Sequence, residues 1–112
     1  MKMKLLPKLA FGALLLGCLV GWSARADVNS TWATNCAACH GKDGKGATMM
    51  GRKLGIKDMT DATVQGSFTD AQATAAIHDG VTDNGTQKMK AFGGKLSDDD
   101  IKALVAHVRS LK

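Results

Sequence analysis

Large aromatic side chains are scarce in this sequence. It has no tyrosine, and tryptophan and phenylalanine together make up 4% of its residues. Beyond the first 26 residues only Trp32, Phe68 and Phe92 remain. A domain of this length buries little apolar surface and is marginally stable without help. The scarcity therefore predicts that a metal, a crosslink or a cofactor completes the core.

The first 26 residues have the pattern of a secretory signal. A basic start precedes an apolar run at 9–22, and Ala24-Arg25-Ala26 supplies an A-x-A cleavage site. The run is shorter than the roughly 20 residues of a membrane-spanning helix. We therefore predict a cleaved signal peptide at 1–26 and one domain at 27–112. Lipidation at Cys18, within LLGC, is a lesser alternative.

Positive and negative charges nearly balance once this segment is set aside. Four of the 15 Lys and Arg residues lie within it, whereas all 10 acidic residues, every one an aspartate, lie after it. The net charge thus falls from +5 to +1 (11 against 10). No basic stripe survives, so the composition does not indicate a nucleic-acid partner.

Cysteine is also rare, and the predicted domain keeps Cys36 and Cys39. Exported proteins usually pair their cysteines as disulfides. A bridge across three residues, however, closes a very small loop and stabilises little by constraining the unfolded chain. These two thiols are therefore expected to have a chemical role.

The cysteines belong to the stretch NCAACHGKDG, in which His40 follows Cys39 directly. A structural zinc site needs a second pair of ligands, and the other histidines, His78 and His107, are far apart. A thioredoxin-like dithiol is expected near a βαβ pattern, which is missing here. The nearby GKDGKGAT has Ala47 where a phosphate-binding loop needs lysine, so its glycines are interpreted as turn residues.

C-x-x-C-H is the attachment motif of c-type haem. Residues three apart share one side of a helix, so Cys36 and Cys39 can reach the two vinyl groups of one porphyrin. His40 follows at once and can place its ring beneath the iron. Because the export signal takes the thiols to where attachment occurs, we predict one covalently bound haem c.

Two helices are predicted in the first part of the domain. The first runs from about Asn29 to Cys39, with Asn29 or Ser30 as its N-cap. The second begins at TDAQ, where Thr69 and Gln72 form a capping box, and it ends before Gly80. A short extra turn is expected near 58–65. No alternating strand pattern stands out.

The third predicted helix is the clearest. Ser97 caps it, and Asp98 to Asp100 fill its first turn, where the helix dipole favours negative charge. His107 lies within this helix and is expected to pack, whereas His78 ends the second helix. One apolar stripe at helical spacing follows the cap: Ile101, Leu104, Val105, Val108 and Leu111.

From TWATNCAACHGKDGKG to its end, the sequence resembles a class I cytochrome c, a small single-haem carrier. CAACHG matches the attachment site, and Trp32 stands where relatives pack an aromatic between the first and last helices. KMKAFGGKLSDDDIKALVAHVRSLK is similar to the family's ligand loop and final helix, and GRKLGIKDMTD is weakly similar to the segment between. The resemblance implies an all-α, small cytochrome c fold, with three main helices and loops wrapped around one haem.

The resemblance also implies the iron ligands, His40 and Met89. Met89 lies in the polar stretch NGTQKMKAF, where the family's ligand methionine is found; Met49, Met50 and Met59 are expected to be packing residues. A proline carbonyl often holds the axial imidazole in relatives. The sole proline here is Pro7, so another acceptor is expected for the His40 Nδ1–H.

An iron with both axial positions filled by protein transfers electrons and has no site for substrate. We therefore predict a periplasmic, monomeric one-electron carrier that is not an enzyme and has no membrane span after signal cleavage. Its partners are expected to be redox proteins with acidic docking surfaces. The alternatives are a haem subunit of a larger oxidase or dehydrogenase, and a haem sensor or enzyme with an open sixth position. Lysines near the haem would steer the partners: Lys42, Lys45, Lys88, Lys90 and Lys95.

Overall fold

The computed structural model describes residues 27–112, together with residues 2, 3 and 12. The predicted cleavage site and Cys18 lie outside these residues. Within the described part, six helices and one two-stranded sheet follow one another along the chain. The helices are α1 (Val28–Asn35), α2 (Ala37–His40), α3 (Met49–Leu54), α4 (Ala62–Gly66), α5 (Asp70–Asp79) and α6 (Asp98–Arg109). The strands are β1 (Val81–Asp83) and β2 (Thr86–Met89), which are antiparallel.

The first predicted helix differs from the structure in its cap and its continuity. Asp27, rather than Asn29 or Ser30, caps α1 by accepting a hydrogen bond from the Asn29 N–H. At Cys36 the backbone φ is −119°, which separates α1 from the single turn of α2. The predicted helix is therefore interrupted at the first cysteine of the C-x-x-C-H motif.

The second and third predicted helices are confirmed. Thr69 and Gln72 form the capping box of α5, and Gly80 ends it. Ser97 and Asp100 form a second capping box at α6. On α6, Ile101, Leu104 and Val105 are buried, as the apolar stripe predicts. These local signals are strong because each cap satisfies a backbone N–H that the helix leaves unpaired.

The β-hairpin is an element that the sequence does not predict within the expected all-α fold. Asn84 and Gly85 join β1 to β2, and their φ angles of 49° and 77° are both left-handed. This is the geometry of a type I′ hairpin turn, for which Asn-Gly is the preferred pair. Met89, expected in a loop, is the last residue of β2. The fold is thus mostly helical with a small sheet.

The helix α3 is not among the helices that the sequence predicts. It is too short to show a periodic apolar pattern, and Gly51 stands within it. Thr48 caps α3, and Gly55 ends it with a left-handed φ of 69°. The extra turn expected near 58–65 is present as α4, which begins at Ala62.

The core joins the two ends of the domain. Trp32 from α1 packs with Leu104 and Val105 from α6, while Ile77 from α5 and Phe92 close the other side. The core holds two aromatic residues, as the scarcity of aromatics in the sequence suggests. Within the part of the chain that the structure describes, none of the helices combines the length and the apolar character needed to cross a membrane.

Candidate functional site

An apolar cavity of about 440 Å³ adjoins the core. It lies between the first and last helices, α5, and the end of the hairpin. Three of the four residues predicted to bind haem line it: Cys36, His40 and Met89. The fourth, Cys39, is half-buried and is not among the lining residues. The remaining lining residues are Trp32, Met59, Ser67, Phe68, Gln72, Ala73, Ala76, Ile77, Leu104 and Val108.

The C-x-x-C-H segment is held by the backbone of α2. The Cys36 carbonyl accepts hydrogen bonds from the N–H groups of Cys39, at 3.2 Å, and His40, at 2.9 Å. Thr48 fastens the segment to α3 by donating its hydroxyl to the Cys39 carbonyl at 2.9 Å. Both cysteines are free, and burial raises the pKa of the Cys36 thiol to about 11. The two cysteines are thus not joined as a disulfide and are free for another use.

Trp32 supports the histidine of the motif from α1. Its indole Nε1–H donates to the carbonyl of Gly41 at 2.9 Å, a buried hydrogen bond. Its ring centroid lies 5.6 Å from that of His40 and 4.8 Å from that of His107. Trp32 therefore fixes the backbone just after His40 and also packs α1 on α6, as the sequence predicts.

The His40 ring lines the cavity, and burial lowers its pKa. The neutral imidazole is the form that binds a metal. Its Nδ1 is buried and has no hydrogen-bond partner among the residues described. The acceptor expected in place of a proline carbonyl is thus not found, and in its stead the Trp32 ring packs beside the imidazole.

Two methionines, not one, line the cavity. Met59 and Met89 are both half-buried there, whereas Met49 and Met50 are exposed on α3, at 88% and 44%. The Met59 N–H donates to the Gly44 carbonyl at 2.8 Å, which ties Met59 to the loop after His40. Met89 instead comes from the hairpin. Met59, expected to be a packing residue, therefore also lines the candidate site.

The other two histidines lie outside the cavity lining. His107 packs on Trp32, as expected. His78 lies in the last turn of α5, where its Nδ1 is 2.7 Å from the Asp79 carboxylate. That hydrogen bond raises the pKa of His78.

A polar network lies behind the cavity, and the sequence does not predict it. Gln65 is 4% exposed, and its amide donates to the carbonyls of Met59, at 2.6 Å, and Val108, at 2.8 Å. Arg109 reaches the same place from the end of α6. From the sequence alone, Arg109 is a basic residue near the C-terminal end of the last helix, where the helix dipole favours positive charge. Its partners lie about 40 residues away and so leave no local signal.

The comparisons with known proteins agree on one family. Residues 23–108 match the family model described as cytochrome c oxidase, cbb3-type, subunit III. Over 80 residues the chain is 38% identical to the cbb3-type cytochrome c oxidase subunit FixP of Azorhizobium caulinodans. That match covers 71% of this chain but 25% of FixP, so the chain spans about a quarter of that relative.

A second relative is nearer to this chain in size. Cytochrome c6 of Bumilleriopsis filiformis is 39% identical over 79 residues, covering 70% of this chain and 81% of that protein. Among solved structures, the KustC0563 c-type cytochrome superposes with a TM-score of 0.66 at 33% identity, covering 77% of this chain and 98% of that one. A mutant of the same cytochrome gives 0.64.

The chain belongs to this cytochrome c family and is a small class I c-type cytochrome. Its cofactor is therefore covalently bound haem c with its iron.

The residues of the cavity fit such a group. An apolar space is bordered by a buried free thiol at Cys36, a neutral imidazole at His40 and the thioether of Met89. Histidine and methionine are ligands used by cytochrome c iron, and thiols form its covalent attachment.

Proposed function

We propose that this protein carries single electrons between redox proteins in the periplasm and has no catalytic activity of its own. When bound, haem c supplies one-electron chemistry at its iron. Cys36 and Cys39 would hold it through thioether bonds, and His40 and Met89 would bind the iron from its two sides. The signal pattern at 1–26 supports export of the chain.

The position of His40 and Met89 along one cavity is the observation that carries this proposal. A histidine and a methionine supplied by the protein leave no iron position for substrate or oxygen. The lining of the same space, which includes Ile77 and Leu104, is mostly apolar. An iron with both protein ligands in place, in a mostly apolar site, favours electron transfer over chemistry on a substrate.

The choice of Met89 over Met59 rests on which part of the fold each comes from. The two protein ligands of the iron would come from separate parts of the fold. Met59 is bonded through its backbone to Gly44, in the loop that follows His40. Met89 ends a hairpin that is fastened elsewhere: Phe92, three residues on, donates to the Ile77 carbonyl of α5 at 2.9 Å. A second ligand from a part of the fold separate from that of His40 would therefore be better supplied by Met89.

The second candidate function is that of a subunit of a larger oxidase. It is favoured by the family model, described as an oxidase subunit, and by the FixP match. The matches to cytochrome c6 and to the KustC0563 cytochrome cover 81% and 98% of those proteins, against 25% of FixP, and so support a small cytochrome as the first candidate. The two candidates share the same haem site and differ in what surrounds it.

Two measurements on the full chain, matured in cells that attach haem, test the proposal. The first is the mass of the purified protein after acid–acetone extraction, which should include one haem. The second is the visible spectrum of the reduced protein with carbon monoxide, which should not change. Ready binding of carbon monoxide would overturn the carrier in favour of a sensor or enzyme. Co-purification in a stoichiometric complex with membrane oxidase subunits would favour the second candidate.

A further inference from the structure

The guanidinium of Arg109 closes the network behind the cavity. Its Nη1 donates to the carbonyl and, at 3.0 Å, to the side-chain Oε1 of Gln65. Its Nη2 donates to the carbonyl of Phe68 at 2.8 Å, and its Nε to the carboxylate of Asp70 at 2.7 Å. One side chain of α6 thus holds three positions of the 65–70 segment.

One partner of Arg109 is a backbone group that a short helix leaves unpaired. The helix α4 ends at Gly66, so the Gln65 carbonyl is among the last that have no partner within the helix. A cation near these carbonyls also meets the negative end of the helix dipole. The planar fork of arginine supplies several fixed donors at once, which lysine cannot do.

The segment that Arg109 holds is part of the cavity wall. Ser67 and Phe68 both line the cavity. The Arg109 guanidinium carbon lies 4.4 Å from the centre of the Phe68 ring, a cation–π contact. The positive charge is therefore one side chain away from the space that receives haem c.

We infer that Arg109 is a positioning residue for haem c, which fixes the 65–70 wall and raises the reduction potential through its charge. A nearby positive charge disfavours the ferric state, which carries one more positive charge than the ferrous state. The Arg109 side chain is 29% exposed, so solvent screens its charge only in part. Asp70 is 72% exposed and offsets the same field weakly.

The ion pair offers a test that separates charge from structure. Arg109→Gln and Asp70→Asn break the same contact, but they remove charges of opposite sign. If the charge acts on the haem, Arg109→Gln lowers the reduction potential and Asp70→Asn raises it by a smaller amount. If the pair only holds the wall, both variants loosen it and admit water, so both potentials move in the same direction.

The experiment is a spectroelectrochemical titration of the holoprotein at low salt, accompanied by thermal unfolding. Lys102→Gln removes an exposed charge from the same helix and is the control, with its potential expected to stay within error of the wild type. Arg109→Lys keeps the charge but loses the fork, so it should unfold at a lower temperature while nearly keeping the potential. This variant keeps the test decisive if Arg109→Gln does not fold.

An unchanged potential in Arg109→Gln, or shifts of the same sign in Arg109→Gln and Asp70→Asn, would overturn the inference. If Arg109→Gln does not fold, a potential in Arg109→Lys that falls clearly, or one in Asp70→Asn that does not rise, has the same effect. The inference needs haem c in the cavity but not the proposed carrier role. A wild-type protein that binds carbon monoxide would contradict that role and leave these potential shifts as they are.

Discussion

If Met89 is the sixth ligand, as we propose, its side chain closes the iron to other ligands. Met89→Ala should abolish the weak charge-transfer band that methionine ligation gives the ferric protein at the red end of its spectrum. It should also lower the reduction potential and let carbon monoxide bind, because the sixth position is then open. The visible spectrum and a potential titration measure all three effects.

Two methionines serve as controls for this change. Met49→Ala alters an exposed side chain on α3 and should have no effect on the band. Met59→Ala is the stricter control, since Met59 lines the same cavity. If Met59→Ala removes the band and Met89→Ala keeps it, the ligand has been assigned to the wrong methionine.

Trp32 is expected to contribute to stability through its indole N–H as well as its ring. Trp32→Phe leaves the buried Gly41 carbonyl without its donor, which costs about 1–3 kcal/mol in free energy of unfolding. Denaturant unfolding of the holoprotein measures the loss. Asn29→Ala, an exposed change on the same helix, should stay within about 0.5 kcal/mol. A Trp32→Phe loss no larger than that control would mean that Gly41 finds another partner.

At the scale of elements, the turn of the hairpin holds the strand that carries Met89. Gly85 has a φ of 77° and open space where a Cβ would lie, so alanine there meets backbone strain alone. Gly85→Ala should destabilise the protein by about 1 kcal/mol. Gly94 is also unobstructed but has no left-handed φ, which makes Gly94→Ala the matched control, expected to be nearly neutral. Equal melting temperatures for the two variants would argue against a strained turn.

The elements also show what a sequence reveals and what it conceals. The capping boxes at Thr69 and Ser97 are predictable because every atom involved lies within four residues. The hairpin is not predicted, since β1 is exposed throughout and has no alternating pattern. Its Asn84–Gly85 pair is the one local signal available. The break at Cys36 has no such signal.

One part of the candidate site can likewise be predicted from the sequence, and the other part cannot. The C-x-x-C-H motif is contiguous, so its chemistry can be inferred from spacing alone. The cavity wall at Phe68 and the contacts of Arg109 depend on residues some 40 positions apart being brought together by the packing of α6. The place of Met59 in the lining likewise depends on Gln65 and Gly44, which no periodicity connects to it.

On the scale of the whole molecule, charge is expected to guide the encounter with partners. The lysines predicted to do so follow the attachment segment or lie near Met89; four of them are exposed, and Lys88 is half-buried. Attraction to an acidic partner should weaken as salt screens it, with a Debye length of about 10 Å at 0.1 M.

The rate of electron transfer to an acidic redox protein should therefore fall as ionic strength rises. Replacing Lys88 and Lys90 by glutamine should make the salt dependence shallower, whereas Lys53→Gln on α3 should leave it unchanged. Stopped-flow kinetics over a range of salt measures the slope. A rate that is independent of salt would rule out these lysines as a docking surface.

The hollow beside Trp32, Ile77 and Leu104 has a consequence for the life of the chain in the cell. Domains of this size are held together by a margin of only about 5–15 kcal/mol, and here the centre of the apolar contacts is left for a group that the ribosome does not supply. We therefore expect a chain without its haem to be less stable, and more open to proteases, than the haem-bound protein. A cell would then need no dedicated receptor to detect failed maturation, because the haem-free chain would be removed through its own low stability.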